Sequence, residues 1–303
     1  MLVNAAAGTV AAEGGRAGAR DPEGVARVRE AVRGAGLDAS VLAVAPERFR
    51  DAVKDAAAAS DVDAVIVAGG DGTVNTAASV LAGGDKPLGV LPLGTLNHFA
   101  RDIGLPAEAE EAAIAMAGGH WRAVDVGEVN GRVFVNNCSI GLYPHAVRRR
   151  EERREAGQKK WPAMGHALRE VFARLPLVRL TLRTDTATLR VSTPQLMVGN
   201  NRYSTELLDL GRRDVMDEGV LWVYVTRSQG VLGLMRLALR SLFGRLEQDR
   251  DFETIATTAL QVDDRRRRRH LLALDGELVD LQPPLVMRIR PRALRVLVGP
   301  QPA

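Results

Sequence analysis

The sequence is poor in cysteine and lysine: one cysteine, Cys138, and four lysines, at positions 54, 86, 159 and 160, in 303 residues. A single cysteine cannot form an internal disulfide, so nothing here asks for an oxidising compartment. No stretch of about 18 uncharged apolar residues occurs, which leaves no candidate for a membrane-spanning helix. The first residues, MLVNAAAGTVAAEGG, lack the basic start and long apolar run of a secretory signal. His120, His145, His166 and His270 stand at no metal-ligand spacing. Internal repeats are absent, and no linker is long enough to make two halves independent. These absences together predict a cytoplasmic protein.

What is present is ordinary for a folded chain, 46% hydrophobic and 26% charged, which excludes wholesale disorder. At 32.6 kDa the length suits two domains better than one. The net charge of +4 hides a local concentration. Between Arg148 and Arg174 there are nine Lys/Arg against four Glu, an excess larger than that of the whole chain, and Arg265 to Arg269 form a second run. Such segments suit an anionic membrane surface, a nucleic acid or a solvated helix face. Neither run carries the interleaved stacking aromatics of a nucleic-acid binder, so no nucleic acid is expected.

The first 120 residues alternate strand and helix signals. Strands are predicted ending at Asn4 and over 40–44, 64–68 and 88–91, with helices over 22–33, 47–59, 74–81 and 107–117. Short apolar runs separated by amphipathic segments argue for a parallel sheet covered on both faces, a Rossmann-like α/β domain. After Gly118-Gly119 the pattern changes to strands over 122–126, 133–139, 178–182, 196–198, 220–226, 259–262, 270–274 and 285–289, the mark of an antiparallel β-sandwich. Two helices interrupt this part, the basic one near 145–174 and an apolar one over 230–243, whose Leu/Met stripe reads as core. The predicted division is 1–122 for an α/β nucleotide-binding domain and 123–290 for a β-rich domain. The remaining 291–303 form a terminal segment that returns to the first.

Two segments carry chemistry. In Ala64-Val-Ile-Val-Ala-Gly-Gly-Asp-Gly-Thr-Val-Asn75 a buried strand meets a glycine turn and then opens a helix. Gly69, Gly70 and Gly72 lack Cβ atoms and let backbone N–H groups approach a phosphate. The helix near Thr73 adds its N-terminal N–H groups and positive dipole end. Asp71 would repel an anion directly and suits a magnesium ion that neutralises the phosphates. The pattern is neither GxGxxG nor a Walker loop. A second strand–turn–helix follows in Leu91-Pro-Leu-Gly-Thr-Leu-Asn-His-Phe-Ala-Arg101, where Gly94 and Thr95 would supply backbone and hydroxyl donors and Asn97 orients the turn. Two such turns at neighbouring strand ends mark the ligand edge of an open parallel sheet.

Together, Gly69-Gly-Asp-Gly-Thr73 and Gly94-Thr-Leu-Asn-His-Phe-Ala-Arg101 resemble the diacylglycerol kinase catalytic-domain family, which includes bacterial lipid kinases and the sphingosine and ceramide kinases. The resemblance continues in Val3-Asn4, Val124-Asp-Val-Gly127, Phe134-Val-Asn-Asn137, Asp217-Glu-Gly219 and Leu274-Asp-Gly-Glu277. It implies a two-domain lipid kinase that holds ATP in the interdomain cleft and transfers its γ-phosphate to a hydroxyl of diacylglycerol or a related lipid. On that likeness Asn4, Gly69, Gly70, Asp71, Gly72, Thr73, Val74, Asn75, Gly94 and Thr95 contact the nucleotide. Asp275 matches the family's proton acceptor, although Leu274-Asp-Gly-Glu277 by itself reads as an ordinary hairpin turn. Glu277, Asp71 and Asp125 match carboxylates that organise catalytic Mg2+. A second, structural metal falls on the carbonyls of Val215 and Val220 and the side chain of Glu218. The resemblance also implies peripheral association with the inner face of the membrane, through Arg148–Arg174 aided by Trp161, Phe172 and Leu175, and allows a homodimer.

The sequence departs from the family in three places. Asn4 is followed by Ala5-Ala-Ala-Gly8 where proline and serine are usual, His98 stands where many members carry aspartate, and Glu218 replaces an aspartate. Two other readings stay open: an NAD-kinase-like enzyme, and a catalytically weak nucleotide-binding module recruited to membranes.

Overall fold

The computed structural model describes residues 1–4, 22–155, 177–204, 212–228, 230–242, 245–264 and 269–299. The Ala5–Gly8 departure, residues 156–174 of the basic segment with Trp161 and Phe172, and also Leu175, Phe243 and Arg265–Arg268, lie outside them. The chain forms two compact units, one of Met1–Val126 with the residues from Arg290 onward, the other of Gly127–Ile289.

The first unit runs β1 (Leu2–Asn4), α1 (Pro22–Gly34), β2 (Leu42–Val44), α2 (Pro46–Ala58), β3 (Val65–Gly69), α3 (Asp71–Leu81), β4 (Leu88–Pro92), α4 (His98–Asp102) and α5 (Ala109–Ala117). The chain leaves along β5 (Trp121–Val129) and returns in the last part of β16 (Leu285–Leu297). The sheet order is β2-β1-β3-β4-β16, all parallel. Every residue of β3 and β4 is buried, as expected of strands covered on both faces. Helix α2 buries Phe49 and Val53, one turn apart, and starts on Pro46, whose missing N–H costs nothing in a first turn. Lys86 Nζ donates to the carbonyls of Ala56 and Ala59 at the other end, where backbone acceptors lack helical partners. The pairing of Gly69 with Pro92 sets the site: β3 and β4 end side by side, so the turns that follow them are neighbours.

The second unit contains β6 (Arg132–Phe134), β7 (Asn137–Gly141), α6 (Leu142–Glu155), β8 (Val178–Thr184), β9 (Thr188–Thr193), β10 (Gln195–Asn200), β11 (Leu221–Thr226) and α7 (Val231–Leu242). After a short 3-10 turn (Leu246–Gln248) come β12 (Phe252–Thr257), β13 (Ala259–Asp263), β14 (His270–Leu274), β15 (Glu277–Leu281) and the first part of β16. One antiparallel sheet has the order β12-β11-β10-β7-β14-β15. A second joins β16, β13, β8 and β9 antiparallel, with β5 paired to β6. One hydrophobic core takes side chains from both sheets, among them Leu182, Leu196, Val223, Leu260, Leu272 and Leu285, all fully enclosed. This is the sandwich arrangement the alternation predicts. Emptying one such position, as in Leu196→Ala, typically costs about 2–5 kcal/mol.

Three details differ from the sequence-based expectation. The strand expected over 133–139 breaks at Val135 and Asn136, for a reason that belongs to the site. Three further strands appear, β9, β12 and β15, each at an edge of its sheet and each rich in polar residues. The apolar stripe of α7 is not core: Leu232, Met235 and Leu239 are 83%, 54% and 57% exposed.

Candidate active site

In the first unit the two glycine turns lock together. Gly70 precedes the first turn of α3 in extended backbone, φ −91° and ψ −172°, and no side chain caps the helix. A Cβ built on Gly94 would come within 2.6 Å of Gly70 Cα and 2.7 Å of Asn97 Oδ1. The turns therefore touch backbone to backbone, and a side chain at Gly94 would force them apart. Leu93 N–H donates to Gly69 O at 3.0 Å, continuing the β3–β4 ladder into the turns. Asn97, itself left-handed at φ 47°, closes the second turn: its Oδ1 accepts Gly94 N–H at 2.9 Å and its Nδ2 donates to Gly94 O at 2.8 Å. The Gly94 amide, expected to face a phosphate, is thus used inside the turn. Thr95 beside it is exposed, with its hydroxyl open to a ligand.

The opening of α3 has the chemistry that suits an anion. The first N–H groups of a helix have no carbonyl of their own helix to serve, and the positive dipole end lies there. Asp71, Gly72, Thr73, Val74 and Asn75 form the first turns of α3, the last three buried. Asn4 Nδ2 donates to Thr73 Oγ1 at 3.0 Å, so Asn4 braces this helix start from β1. Phe99 N–H lies 3.4 Å from Asp71 Oδ1, a long bond that ties α3 to α4. His98 lies 3.3 Å through Nδ1 from Arg101 Nη2. Asp125 is fully buried in β5, and its Oδ1 accepts Arg292 N–H at 2.7 Å where Arg292 takes φ 50°. This contact anchors β16.

In the second unit, Asp275 and Gly276 form the two-residue turn between β14 and β15, with Leu274 opposite Glu277. Both central residues have positive φ, 48° and 88°, the geometry that Asp-Gly favours in a hairpin. The carboxylate is not directed outward, as an ordinary turn would leave it. Oδ2 accepts Val135 N–H at 2.8 Å, and Oδ1 accepts Asn136 N–H at 2.7 Å and Asn137 N–H at 2.9 Å. These bonds are what interrupt the predicted strand, because amides given to a carboxylate cannot serve a ladder. Burial of the carboxyl pushes its pKa up to about 6 against the pull of the three amides and of Arg213. Glu277 is exposed as a residue, and the chain around its carboxyl still desolvates it enough to raise its pKa.

Arg213, 1% exposed, stands behind the amides and was not singled out in the sequence. Its Nη1 donates to Val135 O at 2.6 Å and Asn200 O at 3.0 Å, its Nη2 to Asn136 Oδ1 at 2.8 Å, and its guanidinium lies 5.3 Å from the Tyr203 ring centroid. Asn200 Nδ2 donates to Val135 O as well. A lone arginine in Gly211-Arg-Arg-Asp214 carries no sequence signal that separates it from its neighbours.

The donor chemistry sorts the expected metal and nucleotide sites. The helix start, half-buried at Asp71 and Gly72, and the closely packed glycine pair are of a kind that suits a phosphate chain. Asp71 and Glu277 offer hard oxygen donors of the kind Mg2+ takes together with water. The structural-metal set fits poorly. Glu218 Oε2 accepts both Arg202 N–H at 3.3 Å and Trp222 Nε1–H at 3.1 Å, and Val220 O accepts Asn201 N–H at 3.1 Å. With the Val215 carbonyl, that leaves one partly used carboxylate for a divalent ion, and protein hydrogen bonds already close this loop. Among the described residues no group of three or more His, Cys, Asp or Glu is placed to hold a metal.

The chain resembles known proteins over part of its sequence and in its fold. Residues 3–129 match the family described as "Diacylglycerol kinase catalytic domain". The chain is 39% identical over 113 residues to a diacylglycerol kinase of Staphylococcus saprophyticus, covering 35% of this chain and 36% of that one. It is 44% identical over 88 residues to a diacylglycerol kinase of Bacillus subtilis, covering 28% and 29%. The matched segments thus span about a third of these relatives' own length. A solved structure titled as a diacylglycerol kinase from Bacillus anthracis superimposes with a TM-score of 0.69 at 21% identity, covering 99% of this chain and 96% of that one. Residues 3–129, less than half of the chain, thus resemble the diacylglycerol kinase catalytic domain, and the fold throughout is like that of the Bacillus anthracis structure.

Proposed function

We propose that this protein is an ATP-dependent lipid kinase that transfers the γ-phosphate to a hydroxyl of diacylglycerol or a related lipid. The observation that carries the reading is the backbone contact of Gly70 with Gly94, which makes the family's two signature turns one rigid cradle at the start of α3. Thr73, Val74 and Asn75 hold that helix start in place, Asn4 braces Thr73, and Thr95 presents a hydroxyl to the nucleotide.

Phosphoryl transfer needs positioning, charge neutralisation and one well-placed base more than it needs covalent chemistry from the protein. Asp275 fits the base. With a pKa of about 6 it is ionised near neutrality and still basic enough to take a proton. It removes the hydroxyl proton as the lipid oxygen bonds to phosphorus, the bond from phosphorus to the bridging oxygen breaks, and ADP leaves. Mg2+, when bound, would neutralise the phosphate charge, and Asp71 in the first unit and, by itself, Glu277 in the second are carboxylates of the kind it takes. Asp125 contributes by holding the strand it anchors.

The lipid substrate places the enzyme at an anionic membrane surface on the cytoplasmic side. In the described part of the basic segment, Arg148 is exposed, with Glu152 3.9 Å and His145 3.3 Å away. Each exposed cation attracts anionic headgroups by about 1 kcal/mol near a charged surface. Supply of labelled ATP and magnesium with diacylglycerol, monoacylglycerol, sphingosine, ceramide and, as a soluble control, NAD tests the reading. A labelled lipid is the expected product. Label on NAD assigns the NAD-kinase reading, and bound ATP with no labelled product assigns the binding module.

A further inference from the structure

The orientation of α7 is the reverse of what its amphipathic sequence predicts. Leu237 faces inward at 6% exposure. Arg236 and Arg240 occupy one flank, where Arg236 Nη2 lies 3.0 Å from Asp249 Oδ1 and 2.5 Å from Asp251 Oδ2, and Arg240 Nε lies 3.0 Å from Asp249 Oδ2. The Asp249 side chain is 2% exposed, and its Oδ1 also accepts Asp251 N–H, so the clamp is rooted in the body of the unit. Held in this way, the helix turns Leu232, Met235 and Leu239 to solvent on one face. Other exposed apolar residues, such as Leu42, Ile114 and Val286, are scattered singly, which is normal for a protein surface. Three on one helical face, fixed outward by ion pairs to the buried Asp249, are not.

We propose that the Leu232–Met235–Leu239 face of α7 inserts into the surface of an anionic lipid bilayer and docks the protein there. The choice of occupant rests on three observations together with the lipid-kinase reading, which supplies a substrate that resides in membranes. The face is an exposed apolar stripe bordered on one flank by arginines whose side chains remain 39% and 42% exposed, the pattern of a helix lying in the interfacial plane. Arg245 and Arg250, on either side of the 3-10 turn, add exposed cations suited to anionic headgroups. Three side chains fall well short of the roughly 800 Å2 per partner that a standard protein interface buries, which disfavours a second copy of the chain.

The test is cosedimentation with phosphatidylglycerol/phosphatidylcholine vesicles in the absence of ATP. It compares the wild type with a Leu232→Ser/Met235→Ser/Leu239→Ser variant and, separately, Arg245→Glu/Arg250→Glu. The residues changed are exposed, so both variants should fold. The serine variant should bind vesicles roughly tenfold more weakly or worse, and the glutamate variant should lose binding only to anionic vesicles. Met235→Trp should shift its fluorescence to the blue when vesicles are added. Equal vesicle binding by wild type and serine variant, or no binding by either, overturns the proposal. So does loss of a lipid-free dimer in the serine variant, which would make the face a contact between copies. Phosphorylation of a detergent-dispersed short-chain diacylglycerol, measured on the same samples, separates the two readings. Vesicle binding that depends on this face, without phosphorylation, upholds the docking and removes the kinase.

Discussion

At the scale of single residues, Asp275 concentrates the chemistry. Three amides and Arg213 pull its pKa down while burial pushes it up, and burial wins, to about 6. Two outcomes follow from that sign. Phosphate transfer should rise with pH through about 6 as the carboxylate ionises. The same carboxyl makes its full contribution to stability below an unfolded-state pKa of about 4 and loses it as pH rises through about 6, a change on the order of 3 kcal/mol. Chemical denaturation at several pH values should show this loss in the wild type and not in Asp275→Asn. Arg213 modulates both effects. Arg213→Met removes a positive charge that favours the ionised form and leaves Val135 O, Asn200 O and Asn136 Oδ1 without a donor they now have. The acid limb of its pH–rate profile should move upward, and its stability should fall by about 3 kcal/mol or more. Arg213→Lys, which keeps the charge, should restore the position of the limb more than the stability. A merely structural arginine would change stability and leave the limb in place.

At the scale of elements, the site depends on two strand ends in register. Gly69 opposite Pro92 brings both turns to one edge, and Gly70 against Gly94 leaves no room for a methyl group. Gly94→Ala should weaken ATP binding about tenfold or more and cost about 1–3 kcal/mol of stability, measured by calorimetric titration and thermal unfolding. This is also where the sequence was most legible. Buried strands such as Val65–Gly69 and Leu88–Pro92 are short, apolar and punctuated by glycine, so both the parallel sheet and the paired turns can be read directly. The edge strands Thr188–Thr193, Phe252–Thr257 and Glu277–Leu281 could not be read in that way, because one face meets water and their composition resembles loop. The break at Val135 was illegible for another reason: it is made by a carboxylate about 140 residues away along the chain. Arg213 is illegible in the sequence likewise, since its burial is a tertiary fact. The stripe of α7 was visible, but its direction depends on Asp249 and Asp251, and periodicity alone favours a core-facing helix.

At the scale of the whole molecule, the chain crosses between its units through β5 and β16, so the α/β unit is completed only by the residues after Ile289. Leu294 and Val296, fully buried, return to place β16 beside β4, and Gly83 N–H donates to Ala293 O. The proposal divides the labour between the units: the first cradles the nucleotide, and the second carries the base and the bilayer-facing helix. Its central claim is that Asp275 accepts the proton from the lipid hydroxyl. The most direct measurement is single-turnover transfer of labelled phosphate from ATP to diacylglycerol by the wild type and Asp275→Asn, with ATP affinity measured in parallel. The account predicts a loss of transfer of about 100-fold or more in the variant with ATP affinity unchanged. Transfer at wild-type rate in a folded Asp275→Asn protein would contradict it.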